Sequence, residues 1–158
     1  MRFSCLKILI FTISLLSSTV TWSSEIDSLI KRQQAPAGVV FEIVSDEVGL
    51  LGELLPSVKA DIHRLRQRFP DLPIAIVSHG KELFALTSKN SSTEHRAHEL
   101  VKELVKTDDV DVHVCGTHAS WYGVSAEAFP DHVDVTPAGP AQIDDYEAIG
   151  YELIILTE

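Results

Sequence analysis

Residues 110 to 120 read VDVHVCGTHAS. Valines at 110, 112 and 114 make VDVHVCG a strand, and the chain then passes through Gly116 into residues suited to a helical turn. A strand that ends in a polar turn and hands over to a helix is the building unit of a parallel sheet. The same unit recurs along the chain. AGVVFEIVS supplies a first strand from about Val39 to Val44, PIAIVSHG a second, HVDVTPAG a fourth and YELIILT a fifth. Helical spacing fills the intervals. Gly49 to Phe69 has apolar residues at 50, 51, 54, 55, 58, 62, 65 and 69 despite Pro56, with Arg64, Arg66 and Arg68 near its negative end and Pro70 as its stop. KELFALTSKNSS reads as a short helix and a polar loop. Thr93 to Lys106 is a helix, THASWYGVSAEAF a helical turn, and PAQIDDYEAIG a last helix closed by Gly150. Strands alternating with helices predict an α/β fold, a three-layer sandwich around a five-stranded, mainly parallel sheet.

Length and composition agree with one domain: 158 residues, 45% of them apolar. The first 24 residues differ from the rest. Arg2 and Lys7 lead into LKILIFTISLL and then into the small residues of SSTVTWSS, the layout of a secretory signal peptide. The apolar run is short of the roughly 20 residues a membrane span needs. The expected division is therefore a signal peptide over 1–24, an N-terminal arm or linker over 25–36, and the domain over 37–158, with the mature protein periplasmic or secreted. Within the arm, Ile26, Leu29 and Ile30 have helical spacing. Removing Arg2 and Lys7 takes the formal charge from 13 − 23 = −10 to 11 − 23 = −12. Such acidity argues against nucleic acid and against an anionic membrane surface as partners.

In an open parallel sheet, function gathers beyond the carboxyl ends of the strands. Three strand ends carry polar or reactive groups: Ser45, Asp46 and Glu47; Ser78, His79 and Gly80; Cys115, Gly116, Thr117 and His118. Cys115 stands out because the other cysteine, Cys5, lies in the expected leader, and an oxidising compartment penalises an idle accessible thiol. A strand-to-helix turn aims amide groups and the positive dipole end at the sulfur, which favours the thiolate. His118 from the helical turn, or His79 from the neighbouring strand, is placed to hold the thiolate or shuttle its proton. Gly116, Thr117, Ser78, Gly80 and Trp121 would line the pocket. The alternative for Cys115 is a small buried hydrophobe. His113 shares a strand face with Cys115, so Cys115 with His113, His118 or His79 is a further, soft-ligand possibility for zinc or copper. His95 and His98 belong to a solvated helix face. Neither G-x-S-x-G, a Walker loop nor G-x-G-x-x-G is found, and no cofactor is expected.

The strand VVFEIV, the helix running to RFP, IAIVSHG, VHVCGTHA and above all TPAGPAQIDDYEAIGYELI resemble the DsrE/DsrF-like family across residues 38 to 157. That family comprises small α/β proteins, sulfur-relay subunits among them. The resemblance implies a flavodoxin-like sheet, assembly into homo-trimers or hexamers, and a cysteine at this strand end that accepts sulfur as a persulfide. That role would fall on Cys115, with sulfur donors and acceptor thiols or small sulfur species as partners. The relay members work in a reducing cytoplasm, whereas this chain carries an export signal. Two other functions fit the residues: a non-catalytic oligomeric module binding a small ligand or a protein, and a Cys/His metal carrier.

Overall fold

The computed structural model describes residues 22–156. The expected leader up to residue 21, Cys5 included, lies outside the described residues. The chain opens on helix α1 (Trp22–Ile30), whose Ile26 and Leu29 are buried in the main core, so the segment read as an arm packs as part of the globule. There follow β1 (Gly38–Ile43), α2 (Leu50–Arg68), β2 (Ile74–Ser78), α3 (His95–Lys106), β3 (Val110–Cys115), α4 (Gly116–Trp121), β4 (Asp134–Thr136), α5 (Gly139–Ala148) and β5 (Tyr151–Leu156). The five strands form one sheet in the order β4-β3-β2-β1-β5, every neighbour parallel. The α/β sandwich expected from the alternation is the observed architecture.

Side-chain alternation divides the layers. Val39, Phe41 and Ile43 of β1, Ile74 and Ile76 of β2, and Val110, Val112 and Val114 of β3 join the core built with Leu51, Leu55, Ile62 and Leu65 of α2 and Ala97, Val101 and Leu104 of α3. The opposite face is smaller. There Val40, Ala75 and Val77 pack against Ile143 of α5, flanked by Tyr146, Tyr151 and Leu153. One ten-residue helix covers this side, so polar residues along the strand ends stay within reach of solvent.

Pro56 lies inside α2, where it has no N–H to donate to the carbonyl four residues back. The arginines at that helix's end serve neighbouring elements: Arg66 Nε donates to Leu72 O at 3.1 Å and Nη2 to Asp109 O at 3.0 Å, while Arg68 donates to Ile30 O and Arg32 O at the end of α1. Two segments differ from the sequence reading. Lys81–Leu86 and Ser88–Asn90 are 3₁₀ turns, and the fourth strand shrinks to Asp134–Thr136 because Pro137 cannot donate to a ladder.

Candidate functional site

The parallel register brings the expected strand ends together. Ile43 pairs with Ser78 and Ser78 with Val114, so the next residues, His79 and Cys115, stand side by side on the α5 face. The first turn of α5 lies directly on them. A Cβ at Gly139 would come within 2.6 Å of His79 Cβ and 3.3 Å of Cys115 Cβ, so only glycine allows this approach.

Cys115 is extended, at φ −76° and ψ 110°, and caps α4 through its own sulfur: His118 N–H donates to Sγ at 3.4 Å. Cys115 is 5% exposed and without a disulfide partner among the described residues. The amide of Thr117 does not serve the sulfur. It donates to Pro137 O at 3.1 Å, as the Thr117 hydroxyl does at 2.7 Å, tying α4 to the loop after β4. Gly116 fits closely under that loop, its virtual Cβ 3.1 Å from Thr136 O.

His79 has a partner that sequence reasoning overlooked. Its Nε2 lies 2.7 Å from Glu42 Oε1, both side chains being mostly covered. The available signal was a lone glutamate in the apolar run VVFEIV. Glu82 was also missed, and it is fully buried. One of its oxygens accepts from Ser45 N at 2.7 Å, the other from Ser78 Oγ at 2.8 Å and Gly80 N at 3.0 Å. This carboxyl clamps the ends of β1 and β2 together. Ser78 therefore faces the opposite side of the sheet from Cys115 and braces the backbone where a pocket wall was expected. Gly80 has no room for a side chain, since a Cβ would sit 2.4 Å from Glu82 Oε2 and 2.5 Å from Ser45 O.

His118 is half-buried among rings. Its ring stacks on Tyr122 with centroids 5.4 Å apart, and Trp121 and Phe84 lie at 5.6 and 5.9 Å. Its Nε2 is buried with no hydrogen-bond partner. Trp121, expected to wall a pocket, is 74% exposed and forms an outer shelf beside Tyr122. His113 occupies a separate position. Its Nε2 lies 2.9 Å from Tyr146 OH and its Nδ1 3.9 Å from Asp134 Oδ2, and burial holds its pKa below the ordinary histidine value. Burial likewise pushes the Tyr146 phenol up to about 12. The histidines considered as ligands thus point to different partners, and no group of three or more His, Cys, Asp or Glu among the described residues is arranged to hold a metal ion. His98, expected on a solvated face, donates to Ala85 O at 3.0 Å.

A cleft of ≈ 620 Å³ opens at the other edge of the sheet, lined by His63, Arg66, Asp71, Asp108, Asp109 and Asp111 among others. It is remote from Cys115, and Arg66 there is spent on backbone carbonyls. Cys115, His79 and Glu42 gather at the carboxyl-end edge. A recessed sulfur carrying an amide hydrogen bond, flanked by an imidazole that a carboxylate orients, suits nucleophilic displacement.

Two solved structures share the fold. A protein of unknown function, MTH1491 from Methanobacterium thermoautotrophicum, superposes with a TM-score of 0.58 at 19% identity over 75% of this chain and 97% of its own. The ychN protein from E. coli gives a TM-score of 0.53 at 15% identity over 75% of this chain and 98% of its own. No curated protein matches the sequence. The DsrE/DsrF-like family pattern matches residues 59–156, more than half of the chain and including β2, β3, α5 and β5. The chain belongs to the DsrE/DsrF-like family.

Proposed function

We propose that this protein carries sulfane sulfur as a persulfide on Cys115, within a family related to sulfur relay. The observation that carries the reading is the setting of Sγ, which takes the His118 amide hydrogen bond next to His79 and under the first turn of α5. Cys115 also belongs to the buried residues of the main core, and the hydrogen bond and the histidine are what set it apart from its apolar neighbours there. The thiolate attacks a sulfane sulfur, forms Cys115–S–S⁻ and expels the donor's remainder; a second thiolate or small nucleophile later removes the outer sulfur. His79 takes the thiol proton, and His118 fixes the sulfur through its amide.

Export is part of the same proposal. Residues 1–24 have the composition of a leader, and among the described residues no helix is long and apolar enough to cross a membrane. Donors and acceptors would then be small sulfur species or thiols outside the cytoplasm, and the charge of −10 supports neither nucleic acid nor anionic lipid as partner. A homo-oligomer, trimer or hexamer, belongs to this reading and is checked by sedimentation.

The test is the intact mass of protein purified without reductant and incubated with thiosulfate or polysulfide. One added sulfur, released by a thiol and absent in Cys115→Ser, is the expected result. The 5% exposure of Cys115 favours one other reading, a non-catalytic binding module with an inert thiol. An unchanged mass together with slow alkylation would establish that reading and end the first.

A further inference from the structure

We propose that Glu42 is the positioning residue for proton transfer at Cys115, acting through His79. The inference rests on Cys115 being the nucleophile of the proposed function, and it adds a residue from β1, the strand between β2 and the edge strand β5, to which neither the motif nor the family resemblance gives a role.

Glu42 sits on β1 and is paired in register with Val77 of β2, one strand position short of the end. Alternation puts Glu42 on the α5 face together with His79 and Cys115. The carboxylate reaches the imidazole at 2.7 Å, with side-chain exposures of 18% for Glu42 and 16% for His79. A glutamate on a face otherwise lined by Val40, Ala75 and Val77 is costly unless a partner satisfies it. Among the described residues that partner is His79.

In a neutral imidazole, donation from Nε2 to a carboxylate leaves the lone pair on Nδ1. Nδ1 makes no hydrogen bond among the described residues, and His79 adjoins Cys115 across the β2–β3 pair while Gly139 closes over both. The contact with Glu42 holds the ring by Nε2 and leaves Nδ1 as the nitrogen for proton exchange with Cys115.

With thiosulfate as donor the step balances. The Cys115 S–H bond breaks and its proton passes to His79 Nδ1. The sulfur electron pair forms a bond to the outer sulfur of thiosulfate, the S–S bond of thiosulfate breaks, and sulfite leaves with that bonding pair. Cys115 is left as Cys–S–S⁻, the proton is passed from His79 to sulfite, and no external oxidant or reductant is consumed.

The experiment measures two rates at neutral pH on the full mature chain: alkylation of Cys115 by iodoacetamide, and sulfur loading from thiosulfate by intact mass. The proteins are the parent, Glu42→Gln, Glu42→Asp, His79→Gln and the double variant Glu42→Gln/His79→Gln, each checked for an unchanged thermal midpoint. Glu42→Gln is expected to slow both rates by ~10-fold to 100-fold, by analogy with removing the carboxylate behind a metal-bound histidine. Glu42→Asp, which keeps the charge, retains more of the rate than Glu42→Gln. The double variant is expected to be no slower than His79→Gln alone, because Glu42 has nothing left to orient. A Glu42→Gln rate equal to the parent, or losses that multiply in the double variant, overturns the assignment. If the parent alkylates with this dependence on Glu42 yet gains no sulfur, the carrier reading fails while the positioning role stands. If the parent loads sulfur and Glu42→Gln loads equally fast, the carrier reading stands and the positioning role fails.

Discussion

Glu82 offers the sharpest quantitative test of how the site edge is built. Its carboxyl is fully buried and receives three hydrogens, from Ser45 N, Gly80 N and Ser78 Oγ. Replacing it by glutamine preserves volume but turns one acceptor into a donor. The amide oxygen best takes the position that serves both Ser78 and Gly80, which leaves the new NH₂ facing the Ser45 N–H across a 2.7 Å gap. One backbone donor is then orphaned, at a cost of about 2 kcal/mol. Glu82→Ala orphans two, Ser45 N–H and Gly80 N–H, since the Ser78 hydroxyl can rotate to another acceptor. The expected loss is about 4 kcal/mol, twice that of the amide and a large part of the ~5–15 kcal/mol that holds a domain together. Urea unfolding followed by circular dichroism gives both values from the shift in midpoint at constant slope. Equal losses for the two variants, or losses under about 0.5 kcal/mol for both, would refute the view that this carboxyl clamps β1 to β2.

Gly139→Ala places a methyl 2.6 Å from His79 Cβ, against an ordinary carbon contact of about 3.5–4 Å, so the first turn of α5 must retreat by about 1 Å. The expected cost is about 1–3 kcal/mol in thermal or urea unfolding, with faster alkylation of Cys115; parent-like values for both would contradict the packing described. Burial lowers the His113 pKa, so the folded state binds its proton less readily than the unfolded chain, whose value is near 6.5. Its contribution to stability is complete above about pH 6.5 and is lost as pH falls below that, and a urea titration of His113→Gln should show a flatter acid limb. Tyr146 runs the other way: with the folded value near 12 and an unfolded value of about 10, stability is kept below pH 10 and lost as pH climbs toward 12. Tyr146→Phe should flatten that alkaline limb and cost about 1 kcal/mol at neutral pH through the lost hydrogen bond to His113.

The strands were legible because each is a compact run of β-branched and apolar residues bounded by Pro, Gly or Asp, and α2 and α3 because their apolar residues keep a 3.6 period over several turns. The convergence of His79 and Cys115 followed from a general property of parallel sheets. Glu42 and Glu82 did not, since each has a distant partner: Glu42 reaches His79, 37 residues away, and Glu82, besides its near neighbours Ser78 and Gly80, reaches back 37 residues to Ser45. Local pattern carries no trace of such pairings. His113 was placed on the correct face, but its neighbour proved to be Tyr146 from a helix whose register over the sheet depends on Gly139. Trp121 stands 74% exposed, and an aromatic residue beside such a turn reads the same in sequence whether it closes a pocket or stands at its rim.

The place of β5 beside β1 bears on how the protein is made. Gly38 pairs with Tyr151, partners separated by 151 − 38 = 113 positions, and the strand that completes the sheet is the last element of the described chain. A nascent polypeptide that has already built β1, β2 and β3 still presents one side of β1 as an open row of amides and carbonyls. The ribosome or translocon must deliver YELIIL before that row is filled, and pairings this distant in sequence form slowly. A chain cut short before residue 151 would hold every group of the site described above and still lack the strand that seals its central sheet, exposing an edge suited to capture by chaperones or by other unfinished chains.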